Sequence, residues 1–306
     1  MSVRVVPVPE GLAGLRLDVT VSRLFGFSRS ASAAMIDAGD VVLDGAVAAR
    51  SDRVSTGSVL ELINDGARAP APPPPVTGMP VLFEDDDVVV VAKPVGVAAH
   101  PSPGWEGPTV VGALAASGHR IATSGAAERQ GVVHRLDVGT SGAMVVAKSE
   151  WAYSRLKQAF RDRRVRKRYR AVVQGHPDPV RGTIDAPLDR HPRASYKFAV
   201  VAGGRPSVTH YQTLEAFRGA TLLDIDLETG RTHQIRVHMA AIRHPCVGDL
   251  TYGADPVLAT RLGLTRQWLH AELLGFAHPT TGEWVHVEAQ RPADLQRALD
   301  LLRADS

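Results

Sequence analysis

The stretch Gly131–Ser149, GVVHRLDVGTSGAMVVAKS, sets two apolar runs around a polar centre. Gly131–Val133 and Ala143–Ala147 read as strands, because short β-branched runs bounded by glycine suit a sheet interior. Between them His134, Arg135, Asp137, Thr140 and Ser141 crowd into a loop whose glycines permit tight turns. Polar side chains on a loop held by two rigid strands are a common way to build an active site. The same spacing also fits a polar hairpin whose Asp caps backbone amides. The residues alone leave both readings open.

Outward from this loop, strands dominate, with Val88–Ala92, Val165–Val173, Thr221–Leu227 and Trp284–Ala289 all patterned for a sheet. Ser149–Arg163 places Ala152, Leu156, Ala159 and Phe160 on one helical face, and Thr232–Ile242 does the same with Ile235, Met239 and Ile242. No regular strand–helix alternation demands a parallel sheet, so the expected class is α+β. Residues 11–66 read as a small α/β module. It has helices at Leu17–Phe25 and from a Ser28 or Ser30 cap to Asp37, a Gly39 stop, and strands Val41–Leu43 and Val59–Leu62, with Asp44-Gly45 as a turn. The run ARAPAPPPPVTG marks a proline-rich linker over 67–79, and 80–303 follows as the main domain.

The 306 residues suffice for a large domain and a small one. No apolar run is long enough for a membrane span, the amino terminus lacks a signal-peptide core, and Cys246 is the single cysteine. A soluble, cytoplasmic protein is expected. There are 30 Arg and 5 Lys for a net charge of +3. Arginine suits phosphate recognition, but genomic base composition inflates it as well. Position says more than number. From Arg155 to Arg170 nine basic residues stand against one acid, Asp162. Strand alternation then puts Arg166, Arg168 and Arg170 on one face and Tyr169 on the other. Such a row suits an RNA backbone, and a solvated face is the plainer alternative. His233 and His238 are five apart in sequence, which is wrong for two ligands on one helical face, so no metal is expected.

The loop sequence resembles the signature of the pseudouridine synthase family that contains RluA and RluD. Three more segments in the same order are similar to that family: EDDDVVVVAKPVGVAAHPSPG (84–104), RKRYRAVVQG (166–175) and LETGRTHQIRVHMAAIRHPCVGDLTYG (227–253). The small module, LRLDVTVSRLFGFSRSASAAMIDAGDVVLDG, resembles an RNA-binding domain shared with a small-subunit ribosomal protein.

The resemblance implies a pseudouridine synthase domain with a mainly antiparallel mixed sheet over 80–303, which isomerises uridine in RNA by base flipping. It makes Asp137 the essential carboxylate and Arg236 its partner, and puts Tyr169 on the uracil as a proposed proton acceptor. Arg135 is expected to fill the space the base leaves. Arg231, Arg166, Arg168, Arg170 and, in the small module, Arg29 are expected RNA contacts. Large-subunit (23S) ribosomal RNA is the expected substrate, transfer RNA a possible one, and the chain is expected to be a monomer.

The chemistry breaks the bond from ribose to ring nitrogen, turns the base, and rejoins it through carbon. No electrons or atoms are gained, so no cofactor is expected. Extraction of the base costs a few kcal/mol, which phosphate contacts and a stacking aromatic offset. A partly buried carboxylate needs a nearby guanidinium to favour its charged form. The competing reading is a non-catalytic RNA-binding ribosome assembly factor.

Overall fold

The computed structural model describes residues 3–25, 27, 29–63, 76, 79–102, 105–125 and 129–305. The chain divides into two compact units, Met1–Pro72 and Pro73–Ser306. Ser28 and nearly all of the expected linker lie outside the described residues.

In the first unit, strands β1 (Arg4–Pro7), β2 (Val41–Leu43), β3 (Ala46–Val47) and β4 (Val59–Leu62) form an antiparallel sheet in the order β1-β4-β2-β3. Helices α1 (Leu17–Phe25) and α2 (Arg29–Asp37) accompany it, and Leu17, Val21, Ile36, Leu60 and Leu62 are buried in its core. The unit starts earlier than residue 11, because Arg4–Pro7 pairs residue for residue with Val59–Leu62. Helix α2 already includes Ser30, so that residue does not cap it. Asp44 and Gly45 both take positive φ, 51° and 79°, the pair of values a tight hairpin turn requires.

The second unit is built on a nine-stranded sheet. In chain order its elements are β5 (Val81–Glu84), β6 (Val88–Lys93), α3 (Val110–Ala116), β7 (Ser141–Ala147), α4 (Glu150–Arg161), β8 (Arg166–Gln174), β9 (Arg181–Asp185), β10 (Leu188–His191), β11 (Ala194–Val200), β12 (Val208–Phe217), β13 (Ala220–Leu227), α5 (Gln234–Ala241), α6 (Pro256–Arg261), β14 (Leu269–Ala277), β15 (Trp284–Glu288) and α7 (Ala293–Ala304). The sheet runs β5-β6-β7-β14-β8-β13-β12-β9, with β15 added on β14, while β10 and β11 form a separate hairpin. Every pairing in it is antiparallel except β7 with β14, where Ser141 and Gly142 meet His270 and Ala271. Gly142 sits at φ 131°, and a Cβ there would lie 2.2 Å from the Ala271 carbonyl oxygen, so only glycine lets the two strands close.

Two local causes place the central loop. Gly131 turns at φ 70°, and the expected strand at Gly131–Val133 is reduced to one bridge, Val132 to Val146. Ser149 then caps α4, accepting from the Ala152 amide, and Ala152, Leu156 and Ala159 bury that helix against the apolar face of β7. No helix among the described residues is long and apolar enough to cross a membrane.

Candidate active site

The loop between Val133 and β7 is pinned at nearly every residue. His134 Nε2 accepts from the Val145 amide at 3.0 Å, and its ring stacks on Phe160 with centroids 4.7 Å apart. Burial pushes the His134 pKa down to about 3, so it stays neutral and acts as a strap between loop and strand. The Thr140 amide donates to the Asp137 carbonyl at 3.0 Å, and the Gly96 amide to the Val138 carbonyl at 2.9 Å. Arg266 donates to the Gly139 carbonyl at 3.2 Å, and its own guanidinium is gripped by Asp294 of α7 at 2.7 and 3.0 Å. Asp137 emerges from this rigid turn with its side chain 15% exposed.

Helix α5 supplies the counter-charge. His233 enters it at φ 58°, and the Gln234 side chain holds the preceding turn by accepting from the Arg231 amide at 2.9 Å and the Thr229 hydroxyl at 2.8 Å. One turn on, Arg236 Nη1 lies 3.4 Å from Asp137 Oδ2. Its other two nitrogens bind Asp249 more tightly, Nε to Oδ2 at 2.6 Å and Nη2 to Oδ1 at 3.0 Å. Burial opposes the Arg236 charge most strongly, but the hydrogen bonds to Asp249 together with the charges of Asp249 and Asp137 hold the guanidinium above its ordinary range. The Tyr252 ring lies 4.9 Å from the Arg236 Cζ. The Tyr252 hydroxyl accepts from the Phe198 amide at 3.0 Å and shares a hydrogen bond with His233 Nδ1 at 2.8 Å.

Tyr169 of β8 forms another wall and is 8% exposed. Burial, and then the Asp137 charge, push its phenol well above the usual tyrosine range, so it is neutral at rest. Buried Lys93 donates to the Pro94 and Val97 carbonyls at 2.9 and 2.8 Å. Burial lowers its pKa to about 7, against the opposing pull of Asp137.

Asp137, Arg236, Tyr169, Arg135 and Arg231 line a cleft of about 50 Å³. It adjoins a groove of about 540 Å³ with which it shares Arg135, Tyr169 and Arg231. Arg129, Lys157, Arg161, Arg163 and Lys167 add to the groove's positive charge, and Glu228 is the one acid among the described residues lining it. Seven cations lining the groove beside this narrow cleft form a surface suited to a phosphodiester backbone.

The structure therefore brings together Asp137, Tyr169, Arg236, Arg135 and Arg231. It does not bring the arginine row with them. Arg166, Arg168 and Arg170 alternate onto the face of β8 opposite Tyr169, and Arg166 is exposed there. Arg170 pairs with Asp224 and, at 3.0 Å, with Glu272, while Arg168 lies 3.9 Å from Asp224 and 3.7 Å from Glu288. Much of the expected row is thus matched by acids of neighbouring strands, and β8 gives the groove Lys167 instead. Arg29 belongs to the first unit, 3.3 Å from Asp18.

Asp249 and Tyr252, which hold Arg236, do not stand out in the sequence. The available signal is an acid set directly after the apolar run Pro245–Gly248, where a buried carboxylate requires a cation. The histidines of this region hold backbone and hydroxyl groups: His238 contacts Thr209 and the Ala186 carbonyl, and His244 the Gln174 carbonyl. Among the described residues no three His, Cys, Asp or Glu side chains form a metal-binding cluster.

A carboxylate on a pinned loop beside a guanidinium, a buried tyrosine and a basic groove suit an enzyme that acts on RNA, and similarity to known proteins gives the class. Residues 87–241 match the family described as RNA pseudouridylate synthase. The chain belongs to this family, whose members isomerise uridine to pseudouridine in RNA. It is similar over its whole length to an uncharacterized RNA pseudouridine synthase of Mycobacterium bovis, at 59% identity with 100% of both chains covered. It is 43% identical to ribosomal large subunit pseudouridine synthase D of Xanthomonas campestris, covering 100% of this chain and 94% of that one. Among solved structures, human RNA pseudouridylate synthase domain containing 1 superposes with a TM-score of 0.58 at 28% identity, covering 75% of this chain and 97% of the other.

Proposed function

We propose that this enzyme isomerises uridines of large-subunit ribosomal RNA, with Asp137 as the catalytic carboxylate. The observation that carries the assignment is Asp137 lining the cleft, 3.4 Å from Arg236 and beside the basic groove. The relatives named for the large ribosomal subunit support the choice of substrate. The groove cations hold the backbone flanking the target, which offsets the few kcal/mol needed to extract the base. Arg135, exposed at the rim and lining both cavities, enters the space the base leaves. Tyr169 packs on the uracil ring. Asp137 acts as an anion on the nucleoside as the bond from ribose to N1 breaks. The base turns, the ribose carbon bonds to C5, the C5 proton departs to solvent, and N1, freed of the ribose, takes up a proton, so that product and substrate are isomers. A neutral phenol is a weak base, so the part of Tyr169 in that last step is decided by Tyr169→Phe.

The first unit serves as an RNA-binding module with Arg29 among its contacts, and the chain works as a cytoplasmic monomer. Sedimentation as a dimer would revise the last point.

The test uses a strain lacking this gene, complemented with wild type or with Asp137→Ala. Pseudouridines in ribosomal RNA are mapped by carbodiimide-dependent reverse-transcription stops. Sites restored by wild type alone establish both carboxylate and substrate. Sites that depend on the gene in transfer RNA instead would move the substrate. Dependence in neither, with RNA binding intact, would replace the reading by a non-catalytic assembly factor.

A further inference from the structure

Arg236 offers its guanidinium unequally to two carboxylates. Two of its nitrogens lie 2.6 and 3.0 Å from Asp249, whereas a single one reaches Asp137, at 3.4 Å. Asp249 has a side chain only 1% exposed, against 15% for Asp137. Water therefore cannot replace either partner at the inner pair, and the side-on, two-point contact fixes the guanidinium plane. The Tyr252 ring over the guanidinium adds a further restraint, and Tyr252 is itself held by the Phe198 amide and His233.

The plainer reading is a structural ion pair. Yet burying a pair of charges gains little stability over apolar groups of similar size. A buried pair is hard to account for by stability alone when it ends one hydrogen bond away from a reactive carboxylate. Its geometry has a chemical use. If Arg236 faced Asp137 alone, a short two-point pair could form and tie up both carboxylate oxygens. With Asp249 occupying two of the three nitrogens, Asp137 receives one long contact. It keeps a cation nearby while its oxygens remain available to the nucleoside.

We propose that Asp249 is a positioning residue for catalysis, which fixes Arg236 so that the guanidinium orients Asp137 through a single nitrogen and without neutralising it. This rests on the assignment of Asp137 as the catalytic carboxylate. Asp249 touches neither the nucleoside nor Asp137 and acts through Arg236. The segment Asp249–Tyr252 thus belongs to the site although it lines neither wall of the cleft beside Asp137.

The experiment compares wild type, Asp249→Asn and Asp249→Glu in single-turnover conversion of a tritium-labelled RNA substrate over a pH range of about 3 to 9, which spans ordinary carboxylate titration, with RNA affinity and thermal melts measured alongside. For Asp249→Asn the rate falls on the order of 10²-fold, the scale of a misplaced catalytic group, while RNA affinity is unchanged. Its acidic limb also moves to lower pH, because one negative charge has left the neighbourhood of the reacting carboxylate. Asp249→Glu restores the charge, so the limb returns to its wild-type position while the displaced carboxylate keeps the rate low. A purely structural role predicts a lower melting temperature with no movement of the limb, and that result overturns the proposal, as does a wild-type rate in Asp249→Asn. Should Asp249→Asn fail to fold, Asp249→Glu decides alone, a wild-type rate being the refutation. Asp137→Ala is run in parallel. Activity there would refute the underlying assignment, whereas an inactive Asp137→Ala beside a fully active Asp249→Asn would refute this inference alone.

Discussion

Arg236→Met removes one cation from a buried cluster and leaves Asp249 without its partner. The side chain of Asp249 is 1% exposed, and both its oxygens accept from Arg236, so truncation strands a desolvated anion. Breaking a buried pair from one side costs about 3–5 kcal/mol. For a unit the size of Pro73–Ser306, each kcal/mol moves the melting temperature by about 2–4 °C, which gives a fall of roughly 6–20 °C. The double variant Arg236→Met with Asp249→Asn removes both charges together. It is expected to recover to within about 1 kcal/mol of wild type, since a buried pair is near neutral against uncharged groups. Activity is expected to be lost in both, because neither keeps the Arg236 guanidinium within hydrogen-bond reach of Asp137. Circular-dichroism melts and urea titrations of the two variants supply the comparison. A single variant as stable as wild type, or a double variant no more stable than the single one, refutes the reasoning.

Other outcomes follow from the same geometry. Tyr169→Phe preserves the packing and is expected to slow a chemistry-limited turnover by about 10²-fold or more without weakening RNA binding, and an unchanged rate removes the phenol from proton transfer. Lys93, whose pKa is lowered to about 7 when folded, sheds a proton on folding between there and its unfolded value, so wild-type stability rises with pH across that window relative to Lys93→Met. A stability difference that is flat from pH 6 to 10 contradicts this. Arg161→Ala combined with Arg231→Ala is expected to flatten the salt dependence of RNA affinity by about 0.7–0.9 in log–log slope for each phosphate no longer neutralised, and an unaltered slope places the backbone elsewhere. Gly142→Ala, with its Cβ driven against the Ala271 carbonyl at positive φ, is expected to cost roughly 3 kcal/mol or more, and a normal melt contradicts that.

Local patterns in the sequence account for much of the fold. The runs at Val88–Lys93 and Ser141–Ala147 are buried almost throughout, and the short apolar stretches within them, Val88–Ala92 and Ala143–Ala147, make them legible as strands. Leu17–Phe25 and the Asp44-Gly45 turn are readable for the same reason, since cap and turn chemistry act over a few residues. The strands from Arg181 to Phe217 are harder to see. All of Arg181–Asp185 and the stretch Gln212–Ala216 alternate between half-exposed and exposed residues, so the apolar period is diluted there. Helix α7 carries Leu295, Ala298, Leu299 and Leu302 on one buried stripe, a spacing that the sequence does display.

At the site, Asp137, Tyr169 and Arg236 come together only through likeness to a family, because 99 positions separate the two charges. Alternation places Arg168 and Arg170 correctly on one face of β8. It cannot show that Asp224, Glu272 and Glu288 meet them there, since those contacts exist only once β13, β14 and β15 have assembled. Strand order is a non-local property, and Asp249 escapes for the same reason.

The tie from Gly139 through Arg266 to Asp294 has a consequence for how the enzyme is made. A ribosome delivers the chain from its amino end, so the segment bearing Asp137 emerges long before β14 and α7. Until those arrive, the loop lacks both its neighbouring strand and the arginine that clamps it. Each nascent copy therefore holds Asp137 in an unfinished setting until β14 and α7 have been translated and supply the strand and the clamp. The clamp on the Asp137 loop is thus a late product of translation, set by the order of the strands in the sheet.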